Sequence, residues 1–173
     1  AVCGDINTID CEIIIAGFYR DIRTVKGIAG EIDWFLNGAI SQLIISNNIS
    51  GILGETVLLA NQGKVSADKV LRLGLGECED FGKDEFYDIS SKVGHIISKM
   101  KAKDVGTEMF CPEDSIEPTH IKYFIEAILS YMKAPKVSDE SRLTIITNEE
   151  KRLVEINKII KKDFKAYQGG VKK

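Results

Sequence analysis

One rhythm limits what this chain can become. Short runs that are apolar throughout alternate with longer stretches in which apolar residues return every three or four positions. Cys11–Tyr19, "CEIIIAGFY", is the first such run, and it is rich in β-branched residues. "ETVLLAN", "KVLRLGLGE", "DVGTEMFCP" and "RLTIIT" follow. A strand with no polar alternation has no face to give to water, so it must be covered on both sides. Helices between such strands supply that cover. The order predicts an α/β fold: a three-layer α/β/α arrangement around a mixed, largely parallel sheet. "ETVLLAN" and "KVLRLGLGE" read as neighbouring strands, with a hairpin link as one option.

The helical segments carry their own stripes. After Gly27 and Gly30, the residues Ile28, Ile32, Phe35, Ala39 and Leu43 share one face, and Trp34, Leu36, Ile40 and Ile44 widen it. This pattern predicts one long, deeply buried helix. Asp84–Lys101 is a second, with Phe86, Ile89, Val93, Ile96 and Met100 inward. Asp114 or Ser115 can cap a third, with Pro118 in its first turn and Ile121, Phe124, Ile128 and Met132 inward. Thr147-Asn-Glu-Glu150 has the form of a capping box for a last helix, which carries Leu153, Ile156, Ile160 and Phe164 inward and ends at Gly169-Gly170. With no linker or repeat, 1–173 is expected to be one domain, with 167–173 a disordered tail.

The 173 residues, 44% of them hydrophobic, suit one core of ordinary size. No apolar run reaches the ~20 residues that span a bilayer. The start, "AVCGDINTID", lacks the basic-then-apolar layout of a secretory signal, and Ala1 is what removal of an initiator Met leaves, so a cytoplasmic protein with no membrane partner is expected. Cys3, Cys11, Cys78 and Cys111 include no CxxC pair and read as reduced thiols without catalytic work. Residues 151–173 carry a net charge of +6 against −9 for the rest. A basic tail can approach nucleic acid, but the acidic body argues against it, and a solvated helix face explains the tail.

Chemistry-bearing constellations are sparse. His95 and His120 have no obvious Ser or Cys partner, and there is no HExxH. Glu31, Asp33, Glu85, Asp88, Glu126, Glu149 and Glu150 fall on polar helix faces and in loops, without the convergence that two metal ions require. No metal, cofactor or catalytic residue is assigned. Trp34 reads as core or as an interface anchor.

"GIAGEIDWFLNGAISQLI", "GETVLLAN", "KVLRLGLGECEDF", "YFIEAILSYMK" and "LTIIT", in that order, resemble the N-terminal domain of the leucyl aminopeptidase family. The similarity covers about Cys11 to Thr147 and includes Gly54-Glu55-Thr56 and Gly74-Leu75-Gly76-Glu77. It implies a macro-domain-like fold, and it makes 149–166 similar to the helix that connects to the family's catalytic domain. That domain binds two metal ions and carries an Asn-Thr-Asp-Ala-Glu-Gly-Arg run. No such run occurs in these residues, so the resemblance does not carry peptidase activity to this chain. It implies a non-catalytic module that works by protein contact or in regulation, through self-association or docking on a separate catalytic chain.

A second reading stays open: a binder, or a hydrolase, of ADP-ribose or a related nucleotide. Macro domains, which this fold resembles, hold ADP-ribose with glycine loops at strand ends and helix starts. A helix N-terminus offers unpaired N–H groups and partial positive charge, and glycine lets a pyrophosphate come close. The candidate ligand-binding residues are Lys26, Gly27 and Gly30 at a helix start, and Gly74 and Gly76 at a strand end. Asp21 could serve an adenine. Against this, Glu31 and Glu77 put negative charge beside both glycine segments, and glycines near a helix start also serve as plain turns and close packing.

Overall fold

The computed structural model describes residues 1–3, 6–22, 27–61, 63–110, 117–132 and 141–164. The strands are β1 (Val2–Cys3), β2 (Ile13–Phe18), β3 (Thr56–Ala60), β4 (Lys69–Gly74), β5 (Asp104–Glu108) and β6 (Arg142–Thr147). The α-helices are α1 (Gly27–Phe35), α2 (Ala39–Ile45), α3 (Lys83–Met100), α4 (Pro118–Met132) and α5 (Glu150–Asp163), and a 3-10 turn covers Ile6–Thr8. The strands form one sheet in the order β1-β6-β5-β2-β4-β3. Every pairing is parallel except β3–β4, which is antiparallel.

The runs that become β2, β4 and β5 are covered on both faces, as their composition requires, whereas β3 at the rim alternates exposed and half-buried residues. Ile13 and Ile15 of β2, Leu71 and Leu73 of β4, and Val105 of β5 pack under α3, α4 and α5. Ile14, Ala16 and Phe18 point the other way, onto Ile28, Ile32 and Ile40 of α1 and α2. The three layers thus enclose two cores. Among the described residues, no helix is long and apolar enough to cross a membrane.

Four expectations need correction. The helix that opens at Gly27 does not run unbroken to Ile44. Asn37 (φ 57°) and Gly38 (φ 75°) are left-handed, which ends α1 and lets α2 start at a new angle. Asp33 secures the break: its Oδ1 accepts the N–H groups of Ile40 at 2.8 Å and Ser41 at 3.1 Å. These are donors that the start of α2 would otherwise leave bare. The re-aimed α1 buries Ile28 and Ile32 but leaves Trp34 80% exposed, so the core reading of Trp34 fails.

The last cap also differs. Thr147 Oγ1 accepts the N–H of Glu149 at 3.2 Å rather than that of Glu150, and Glu149 stands in the N-cap position. α5 ends at Asp163, with Phe164 buried at its C-cap, so Gly169-Gly170 does not stop it. Residues 167–173, Asp114 and Ser115 lie outside the described residues. β1 and the 3-10 turn were not expected, since two or three residues carry no periodicity.

Candidate functional site: the carboxyl edge of the sheet

From β2 the chain passes over one face to reach β4, with β3 added at the rim. It then crosses back over the other face to β5, on the far side of β2. The direction of winding reverses between β2 and β5. In open sheets of this type the strand ends part at that point and leave a crevice at the carboxyl edge.

On the β2–β4 side the edge is sewn shut. The pairing runs through Phe18 and Gly74, and then Leu75 N–H bonds Phe18 O at 3.0 Å and Arg20 N–H bonds Gly76 O at 2.8 Å. Asp21 Oδ1 accepts the Cys78 N–H at 2.9 Å, and Arg20 pairs with Glu77 at 3.5 Å. Asp21 therefore already holds the facing loop. Gly74 N–H bonds Glu55 O, and Gly76 N–H bonds Gly51 O. A Cβ on Gly74 would lie 2.2 Å from the Ile52 carbonyl oxygen, so this glycine admits the 51–54 loop against the strand. Glu55 pins that loop by accepting the N–H groups of Ser50 (2.8 Å) and Gly51 (2.7 Å).

On the β2–β5 side the ladder stops sooner. The last register pair is Ile15 with Thr107. Two residues further along β2, the Gly17 N–H donates to Glu108 Oε1 at 2.7 Å. Alternation puts Glu108 on the face covered by α1, the same face as Gly106. Burial pushes its carboxyl up to about 7, against the opposing pull of the Gly17 amide and of Arg72 and Arg152; Glu31 adds to the rise. Arg72 of β4, paired in register with Ala16 of β2, is on the same face. Its guanidinium is fully buried, lies 5.0 Å from the centre of the Phe18 ring, and reaches the Gly17 carbonyl oxygen at 3.4 Å. Nε and Nη1 have no hydrogen-bond partner among the described residues. Desolvation lowers the Arg72 pKa to about 10, and Glu108 and Asp33 oppose that drop. Above this pair, Asn148 Nδ2 donates to Glu31 Oε1 at 2.9 Å, which ties the loop after β6 to α1.

The predicted residues therefore do not form one cluster. Gly27 opens α1 with φ 60°, exposed, with nothing within 4 Å of a notional Cβ. Gly30, one turn on, helps line a depression of about 590 Å³ together with Asp33, Trp34, Phe35, Asn37 and Gly38. Gly74 and Gly76 are across the edge, at the end of β4 and in the loop after it. Lys26 lies outside the described residues. Sequence reasoning passed over Glu108 and Arg72. The available signal was a charge inside or at the end of a solid apolar strand, since a buried charge needs a partner.

The remaining candidates are accounted for locally. His120 is buried, and its Nδ1 accepts the Glu117 N–H at 3.2 Å. His95 Nε2 bonds the Tyr131 hydroxyl at 2.8 Å on the outer surface. Cys11 is buried, and desolvation raises its thiol to about 11. No group of three or more His, Cys, Asp or Glu among the described residues is placed to hold a metal ion.

The fold and the sequence both have close counterparts. A protein of Alkaliphilus oremlandii described as a probable cytosol aminopeptidase is 28% identical over 170 residues, covering 96% of this chain and 34% of that one. A counterpart from Alkaliphilus metalliredigens is 29% identical over 105 residues, covering 61% of this chain and 21% of its own. The chain thus spans between a fifth and about a third of these relatives. Among solved structures, an Oceanobacillus iheyensis macrodomain variant superposes with a TM-score of 0.70 at 11% identity, over 95% of this chain and 91% of that one. The Trypanosoma brucei macrodomain in complex with ADP gives 0.66 at 12%, over 91% and 66%. A tomato leucine aminopeptidase variant gives 0.60 at 13%, over 91% and 34%. At such identities these likenesses speak to the macrodomain-like fold alone. The model of the cytosol aminopeptidase family N-terminal domain matches residues 17–131, and with two thirds of its length so matched this chain belongs to that family.

Proposed function

We propose that the chain is a non-catalytic macro-like module that acts by protein contact, through self-association or by docking on a catalytic aminopeptidase module. One observation carries this reading. At the carboxyl edge, the amides of Gly17, Gly74 and Gly76 already hold acceptors of the chain itself: Glu108 Oε1, Glu55 O and Gly51 O. A phosphate would have to displace them and sit beside Glu108 and Glu31. Trp34, 80% exposed beside the open depression on α1, offers a large apolar group of the kind that anchors interfaces. The test is sedimentation velocity of the purified chain, alone and mixed with the catalytic portion of an Alkaliphilus relative. Co-sedimentation or self-association that Trp34→Ala weakens is expected. A chain that stays monomeric in both settings contradicts the reading.

A second reading has its own support. The α1 N-terminus at Gly27 is exposed and sterically open, and one macrodomain of the same fold is described in complex with ADP. On this reading Lys26, Gly27 and Gly30 receive the diphosphate of an ADP-ribose-type ligand, and Gly74 and Gly76 shape the opposite wall. Saturable heat on calorimetric titration with ADP-ribose would favour it.

A further inference from the structure

The two rims of the sheet are built differently. At one rim, β1 is two residues long. At the other, β3 runs five residues, Thr56-Val57-Leu58-Leu59-Ala60, and among the described residues pairs with β4 alone. Its pairing with β4 is continuous across all five positions, so no bulge turns the strand aside. Alternate residues therefore turn their N–H and C=O groups outward, away from β4, with no strand beside them among the described residues. Natural edges are usually blunted by charge, proline, a bulge or a cover. β3 contains no charge and no proline. The charge that precedes it, Glu55, folds back to bind the amides of Ser50 and Gly51. Leu58 is 53% exposed, and Ile52 (56%) and Leu53 (38%) extend the apolar surface into the approaching loop.

The sequence of the edge says what can pair with it. Antiparallel pairing with an identical strand, centred on Leu58, sets Leu58 opposite Leu58 of the second copy. Thr56 then faces Ala60, and Val57 faces Leu59. No pair opposes two charges, and the bulky pairs, Leu58 with Leu58 and Val57 with Leu59, are apolar on both sides, as favourable cross-strand pairs are. Val57 and Leu59 are half-buried and point into the α1–α2 core, so the same pairing would extend that core across a two-fold axis.

We propose that β3 is a self-association edge, at which two copies of this chain join their sheets antiparallel through Thr56–Ala60. This deepens the protein-contact reading and rests on it. Five residues a side cover less than the ~800 Å² per partner of stable complexes, so association in the micromolar range is expected rather than a permanent dimer.

The test uses the full chain in sedimentation equilibrium from about 1 μM to about 500 μM, with circular dichroism to verify folding. Leu58→Lys and Leu58→Glu each place like charges face to face, and each should weaken association roughly tenfold or more. Mixing the two variants should restore association above either alone, because lysine then faces glutamate. A wild-type chain that is monomeric throughout overturns the proposal, as does a mixture no tighter than its components. If the wild type associates and the Leu58 variants associate equally well, the edge is not the interface. The contact reading would then stand on another surface, and Trp34→Ala identifies which.

Discussion

Glu108 should make the stability of this protein depend on pH through the neutral range. Its carboxyl titrates near 4.5 in an unconstrained chain and near 7 in the fold, chiefly because burial disfavours the charge. The groups that face it are Arg72 from β4, Glu31 from α1 and Arg152 from α5. Below the unfolded value both states are protonated and nothing changes. Between the two values the unfolded chain releases the proton while the folded chain keeps it, so stability falls as pH rises. Above the folded value the full difference remains. At about 1.4 kcal/mol per unit, the loss between about pH 5 and about pH 8 is roughly 2–3 kcal/mol. Glu108→Gln keeps an oxygen for the Gly17 N–H and does not titrate. Urea unfolding of both proteins across that range isolates the effect, because every other group titrates alike in the two. The variant should match the wild type near pH 5 and exceed it by roughly 2 kcal/mol near pH 8. Parallel profiles, differing by less than about 0.5 kcal/mol throughout, would refute the reasoning.

Asp33→Ala removes the acceptor for two amides at the start of α2, one of them buried, and should cost about 1–3 kcal/mol in the same unfolding assay. Gly74→Ala drives a methyl into the Ile52 carbonyl, where backbone must move; a loss of about 3 kcal/mol or more, read as a lower thermal midpoint, is expected. Trp34→Ala should leave stability within about 0.5 kcal/mol while weakening association, because the side chain is 80% exposed.

β2, β4 and β5 were legible because they are buried on both faces, and burial of that kind writes a solid apolar run; β3, at the rim with Leu58 exposed, was legible from its β-branched and aliphatic residues alone. The β3–β4 hairpin pairing and the inward stripes of α3 and α4 follow from equally local signals. The break at Asn37-Gly38 was also written locally, but the apolar stripe continues through it. Periodicity cannot report that the axis turns, so Trp34 was assigned to a face that rotates into solvent. The candidate site was the least legible part. Glu108 and Gly17 are 91 positions apart and meet only because β5 pairs with β2. Gly74 and Gly76 look like a phosphate loop in one dimension, and the approach of residues 51–55, whose Glu55 and Gly51 carbonyls take up their amides, exists only in three. Arg72 was passed over as one charge in an otherwise apolar run, and that it is buried follows only once β4 is found inside the sheet, with a neighbour on each side.

Isothermal titration of the chain with ADP-ribose weighs the contact module against the ligand-binding module most directly. If the backbone donors at the strand ends are satisfied from within, no saturable heat appears up to about millimolar ligand. A one-to-one isotherm with a micromolar Kd, abolished by altering Gly27, would mean that a nucleotide takes this edge after all.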